Sequence, residues 1–149
     1  MTDADPRFID TNVLVYANWP GSTHHARAVA LLRQVEAVGA PLWISGQVLR
    51  EYLAVVTRAQ GQLSALPMSV AIERVWYFAR RFWLAEDGPQ VRAQRLNLLA
   101  NYAIAGKQVH DANLVATMLA NAITRLLTFN VANFTRFGDI ITIESGPAP

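Results

Sequence analysis

The run Phe8-Ile9-Asp10-Thr11-Asn12-Val13-Leu14-Val15-Tyr16 changes its period in mid-course. Apolar residues lead up to Asp10 as in a short buried strand, and Val13 to Ala17 continue at helical spacing with no turn residues between. A strand predicted over Phe8–Asp10 that feeds straight into a helix is the first half of a crossover unit, and the chain downstream repeats the alternation. After a break at Trp19-Pro20-Gly21, Ser22 is placed to cap a helix carrying Ala26, Val29, Ala30, Leu32 and Val35, which stops at Gly39. Leu42–Ile44 reads as a second strand. Ser45 opens a helix with Val48, Leu49, Tyr52, Leu53, Val55 and Val56 at core spacing, ending near Gly61.

Pro67 starts the next helix, with Ile72, Val75, Trp76, Ala79 and Phe82 as its apolar stripe, and Phe82–Ala85 is a candidate strand. Asp87 and Pro89 read as cap and first-turn residues of a helix that reaches about Ala105 and stops at Gly106. Asp111 then begins a helix with Leu114, Val115, Met118, Leu119 and Ala122 inward. Arg125–Thr128 and Ile140–Ile143 are the last predicted strands. The pattern predicts an α/β fold: one domain over residues 1–149, a central parallel sheet flanked by helices, with about 1–6 and 146–149 frayed.

Composition agrees and excludes alternatives. Of 149 residues, 52% are hydrophobic and 16% charged, which leaves no room for a disordered chain or a coiled coil. With no cysteine there is neither a disulfide framework nor thiol chemistry. The N-terminal MTDADPR has no apolar leader core, and no apolar run is long enough to span a bilayer, so a cytoplasmic protein is expected. A net charge of +2 is too small to announce a nucleic-acid binder by field strength alone. Twelve of the thirteen basic residues are arginine, Lys107 being the exception, a usage that suits bidentate phosphate contacts and equally reflects codon bias.

In an open parallel sheet, ligands bind beyond the carboxyl ends of the strands. That rule selects Asp10 at the end of the first strand, and Thr128, with Asn130 just beyond, at the end of another. Asp111 falls in the first turn of its helix. Glu51 lies in the second turn after a strand, between Val48 and Val55 on its own face. Singly, each has a plainer use: aspartates cap helices, an exposed Glu51 would pair with Arg50 or Arg58, and Asn130 and Asn133 form turns. As a set, three carboxylates brought to one spot repel unless a cation sits among them, and oxygen donors without histidine or cysteine favour magnesium or manganese. The inference is a hard-metal site for phosphodiester chemistry.

Four segments, Phe8–Tyr16, Val48–Arg58, His110–Ala116 and Leu127–Phe134, resemble in order the four motifs of PIN-domain ribonucleases, and most nearly those of VapC-type toxins from bacterial toxin-antitoxin pairs. The resemblance runs from about residue 7 to residue 144. It implies a PIN-like parallel sheet wrapped by helices, and one or two Mg2+ or Mn2+ ions held by Asp10, Glu51 and Asp111. Thr128 and Asn130 would orient a ligand or water. It further implies endonucleolytic cleavage of RNA, a homodimer, and neutralisation by a VapB-like antitoxin. In many family members one or both positions matching Asn130 and Asn133 are acidic. Here both are amides, which can offer a carbonyl oxygen but no charge.

Two other readings remain on the residues. A catalytically degraded PIN module would bind RNA or a protein without cutting, consistent with the amides. A phosphoaspartyl fold would use Asp10 as the acceptor and Lys107 as the phosphate-binding lysine, although Asp-Thr-Asn lacks that motif's second aspartate. His24 and His25 are adjacent and point about 100° apart on a helix, too divergent to share a metal, so they are expected at the surface. The run Trp76-Tyr77-Phe78 with Arg80, Arg81, Phe82 and Trp83 resembles a stacking platform for single-stranded RNA, yet helical spacing assigns Trp76, Phe82 and Trp83 to core or interface. Arg50, Arg58 and Lys107 are candidates for holding an RNA backbone.

Overall fold

A computed structural model of the protein describes residues 1–61 and 64–147. Its sheet has five parallel strands, β1 (Arg7–Ile9), β2 (Leu42–Ser45), β3 (Trp83–Ala85), β4 (Arg125–Leu127) and β5 (Thr142–Glu144), in the order β3-β2-β1-β4-β5. The helices are α1 (Thr11–Ala17), α2 (His25–Ala37), α3 (Gly46–Val56), α4 (Met68–Arg81), α5 (Pro89–Asn101), α6 (Gln108–Ala120) and the short α7 (Val131–Phe134), which runs into a 3-10 turn at Thr135–Phe137. From the central β1 the chain first builds outward through β2 and β3, then returns to lay β4 and β5 on the other side. The order therefore reverses between β1 and β4, and the loops leaving these two strands diverge around a crevice.

The central strands are apolar on both faces because helices cover both: Phe8, Ile9, Ile44, Leu126 and Leu127 are fully buried. Against them lie Val13 and Leu14 of α1, Val48 and Tyr52 of α3, and Leu114, Val115 and Met118 of α6. At the outer strand, Glu144 draws together two cations from neighbouring strands, the buried Arg7 (Nε to Oε2, 3.1 Å) and Arg125 (Nε to Oε1, 3.0 Å). The same arginines donate to the carbonyls of Thr2, Asp3 and Asp5, so residues 2–5 are tied to the sheet. Ala148 and Pro149 of the expected C-terminal tail lie outside the described residues.

Several local expectations are corrected. Asp10 is not the last strand residue but the N-cap of α1, which therefore starts at Thr11 and not Val13. α2 is capped at His24, because Ser22 Oγ instead accepts from the His24 N–H inside the preceding turn. α5 starts from Gly88, with Asp87 one residue too early to cap, and ends at Asn101 where Tyr102 turns extended. α6 begins at Gln108, three residues before Asp111, and Ala122 is exposed at positive φ beyond its end. β5 starts two residues later than the expected Ile140–Ile143 and ends one residue later.

The largest correction concerns α4. Its buried face is Ala71 and Phe78, followed by Phe82, with Phe78 meeting Tyr52 of α3 edge-on at 5.0 Å between ring centres. Ile72 is exposed, as are Trp76 (62%) and Trp83 (63%). Both faces of this helix are rich in apolar residues, so period alone could not choose between them.

Candidate functional site

A cleft of about 770 Å³ opens at the carboxyl ends of β1 and β4, and Asp10, Glu51, Asp111 and Asn130 all line it. Arg58, Lys107 and His110 stand on its walls, while the exposed Asn133 and Arg50 do not line it. Each carboxylate arrives for a local reason. Asp10 sits where the strand becomes a helix, and its Oδ1 caps α1 by accepting from Thr11 N at 2.8 Å. Its Oδ2 accepts from Thr128 Oγ1 at 2.8 Å and from Asn12 Nδ2 at 2.9 Å, which joins the ends of β1 and β4.

Thr128 is fully buried and does not reach the cleft; its hydroxyl also receives Asn130 N–H at 3.0 Å. Asn12 completes the knot by accepting from Phe129 N at 3.0 Å. Glu51 is held just as closely. Thr11 Oγ1 donates to Oε2 at 2.7 Å, and Gln47 Nε2 donates to Oε1 at 2.9 Å and to the His110 carbonyl at 2.9 Å. The amide oxygen of Gln47 in turn accepts from Asn113, whose own oxygen accepts from Arg95 of α5. One polar chain thus links α1, α3, α6 and α5 through the cleft floor.

Asn12, Gln47 and His110 were not singled out in the sequence. Asn12 had a signal in its position two residues after Asp10, on the first turn of the same helix. Gln47 had one in its i, i+4 relation to Glu51. His110 precedes Asp111 and needed the fold to show that it faces the cleft.

The electrostatics of this pocket are unfavourable to its own charges. Burial pushes the Asp10 carboxyl up to about 6, and the nearby charge of Glu51 adds to the rise, against the opposing hydrogen bonds from Thr128, Thr11 and Asn12. Asp111 is raised as well, by burial first and by Glu51 second, while Arg136 and His110 act the other way. The three carboxylates are hard oxygen donors, and a divalent cation among them would relieve this repulsion. As the side chains lie, however, no three histidine, aspartate or glutamate groups among the described residues stand close enough to share one ion. Both oxygens of Glu51 are engaged by Thr11 and Gln47.

A parallel sheet whose order reverses at an acidic cleft, with a strand running directly into a capped helix, defines the class of α/β proteins to which PIN domains belong. A sequence profile of the PIN domain matches residues 7–139, and the chain belongs to the PIN-domain family. It is 30% identical over 132 residues to ribonuclease VapC24 of Mycobacterium tuberculosis, covering 87% of this chain and 90% of that protein. Solved structures share the fold. These include the Sarcin-Ricin loop cleaving toxin VapC20 of M. tuberculosis (TM-score 0.65, 18% identity, 87% and 93% of the two chains). DNA-bound VapBC of Salmonella typhimurium is another (TM-score 0.66, 17% identity, 93% and 96%). No described helix is long and apolar enough to cross a membrane.

Proposed function

We propose that the protein is a metal-dependent endoribonuclease, the toxin of a toxin-antitoxin pair, working in the cytoplasm as a single PIN domain. The observation that carries this reading is the convergence of Asp10, Glu51 and Asp111 on one cleft where the sheet order reverses, in a chain with a ribonuclease relative across most of its length. In this reading the three carboxylates hold Mg2+ or Mn2+. Bound there, the cation supplies a polarised phosphate and a water of lowered pKa.

The chain's own residues do the rest. Thr128 and Asn12 fix the rotamer of Asp10, and Gln47 with Thr11 fixes that of Glu51. Asn130 presents a neutral carbonyl at the rim, suited to orienting a water. Arg58 and Lys107 attract the RNA backbone towards the carboxylates and offset their charge. The named partners of the structural neighbours point to a VapB-like antitoxin, whose arginine could pair with the same carboxylates and exclude the cation.

Cleavage of RNA that requires added Mg2+ or Mn2+, is abolished by chelation, and disappears in Asp10→Asn and Asp111→Asn with the fold intact is the expected result. Turnover that survives chelation, or that both variants retain, defeats the proposal. The degraded-module reading is favoured by the amide at Asn130 and by the absence of a closed acidic cluster among the described residues; RNA binding without any turnover would select it. Asp10 as a phosphate acceptor is not favoured, because the run Asp10-Thr11-Asn12 lacks the second aspartate of that motif.

A further inference from the structure

We propose that Tyr16 and His24, with the Phe129 ring packed against both, form a base-stacking subsite that holds the nucleobase of an unpaired nucleotide beside the phosphate lodged at the carboxylates. The inference rests on the ribonuclease reading of the cleft and adds to it the residues that grip the substrate's apolar half. Tyr16 lies one turn after Asn12 on α1 and lines the acidic cleft. It also lines a neighbouring cleft of about 640 Å³ with Trp19 and His24, and because both Tyr16 and Gln60 line the two hollows, these adjoin as parts of one groove.

The rings around that junction are set as a fan. Tyr16 lies 4.8 Å from His24 and 5.9 Å from Phe129, centre to centre, and 6.3 Å from Trp19 with the planes only 25° apart. His24 and Phe129 are 6.3 Å apart at 30°. The Arg27 guanidinium lies 4.7 Å from the centre of the Phe129 ring, while its buried Nε has no hydrogen-bond partner among the described residues. Arg27 is therefore held by that ring, and holds it, through stacking.

His24 is the telling member. It occupies the N-cap of α2 yet makes no capping bond with its side chain, and it stays exposed with its ring on Tyr16. Helix capping does not explain its position; an open aromatic face beside a catalytic groove does.

The groove sorts a nucleotide by chemistry. Its basic members, Arg58 just past the end of α3 and Lys107 at the start of α6, line the acidic part, whereas the rings that line it, Tyr16, Trp19 and His24, come from α1, the turn after it and the approach to α2, with half-buried Phe129 packed against Tyr16 and His24. A strand laid across it places a phosphate among cations and carboxylates and the neighbouring base on the rings. Every base has a π-face, so stacking tolerates any sequence. A base inside an A-form duplex has no free face to offer, so the subsite selects unpaired positions. The exposed Trp76 and Trp83 belong to α4 and the outer strand β3 and line neither part of this groove.

The test uses the full chain carrying Asp10→Asn, to prevent cutting, and a short single-stranded oligoribonucleotide containing 2-aminopurine. Binding should quench the probe's fluorescence, and a hairpin with the probe in its paired stem should show no such quench. Adding His24→Ala or Tyr16→Leu should weaken binding about ten-fold and restore the fluorescence, since aromatic stacking is of that strength. Tyr16→Phe should retain both, and Trp76→Leu should change neither. In the active chain, His24→Ala should raise KM on single-stranded RNA with little loss of kcat.

His24→Ala and Tyr16→Leu proteins that fold, bind and quench as the parent does would overturn the subsite. The oligonucleotide readout does not depend on turnover. Absence of cleavage by the parent would thus count against the ribonuclease reading alone, and unchanged stacking against this one alone.

Discussion

Asp10 is 7% exposed and accepts three hydrogen bonds, yet its carboxyl is pushed up to about 6, because burial and Glu51 outweigh the donors. The folded value lies above the ordinary 3.8, so the folded state binds this proton more tightly than the unfolded chain does. The stabilisation is present below about pH 4 and is lost as the pH rises through about 6, at a cost on the order of 3 kcal/mol by the usual conversion of a shift of that size. The metal-free protein should therefore melt higher at pH 5 than at pH 7. Asp10→Asn should flatten that rise, and a variant that keeps the parent's slope would assign it to other groups. At Gln47, 8% exposed, the expectation concerns position rather than charge. Gln47→Leu frees one oxygen of Glu51 and should weaken Mn2+ binding, measured by calorimetry, by 10- to 100-fold, the range typical of groups that orient a ligand. Unchanged affinity would mean that Thr11 alone suffices. The amides give a paired test: Asn130→Asp adds charge at the cleft and should tighten Mn2+ binding, while Asn133→Asp, away from it, should not. Asp10 and Asp111 were legible in the sequence because they fall where the period changes or in the first turn of a helix, and Glu51 because it sits among apolar residues on the inward face of α3. Thr128 was expected as the last strand residue but lies one residue past β4, and its buried position was not legible because its partner Asp10 is 118 residues away.

The elements were legible where one signal dominated. Val48 and Tyr52 on α3, and Leu114, Val115 and Met118 on α6, were placed inward by spacing and are buried. Boundaries moved where caps competed, as at Ser22, which turned its hydroxyl into the loop, and at Asp87, where Gly88 and Pro89 start the helix instead. α4 shows the limit of periodicity. Its Ala71, Val75 and Phe78 and its Ile72, Trp76 and Ala79 are two apolar rows offset by one residue, and only the neighbouring Tyr52 decides which is inside. The consequence is measurable by denaturant titration. In the monomeric chain, Phe78→Ala should cost about 3–5 kcal/mol, as for a buried ring, whereas Trp76→Ala should stay within about 0.5 kcal/mol. Equal losses would mean that α4 is rotated from the orientation described.

At the scale of the whole molecule, the four tryptophans do not share one core. Trp19 and Trp43 are partly buried, Trp43 stacks on Trp83 at 5.7 Å, and the outer faces of Trp76 and Trp83 are open beside exposed Ile72, Tyr77 and Leu84. β3 is also an edge strand, with unpaired backbone groups along its outer side. An isolated monomer rarely leaves apolar residues of this size together next to an open sheet edge, since each forfeits the stabilisation of burial. The expected outcome is self-association in solution. Sedimentation at micromolar concentration should give twice the 16.5 kDa chain mass. Trp76→Glu combined with Trp83→Glu should shift the species towards monomer without lowering the melting temperature of the monomer itself. Two exposed glutamates cost little in the folded chain but cannot be buried unpaired in an interface, so the charge acts on assembly and not on folding. A parent that sediments as a single 16.5 kDa species would remove self-association, and a dimer indifferent to both substitutions would move the interface away from α4 and β3.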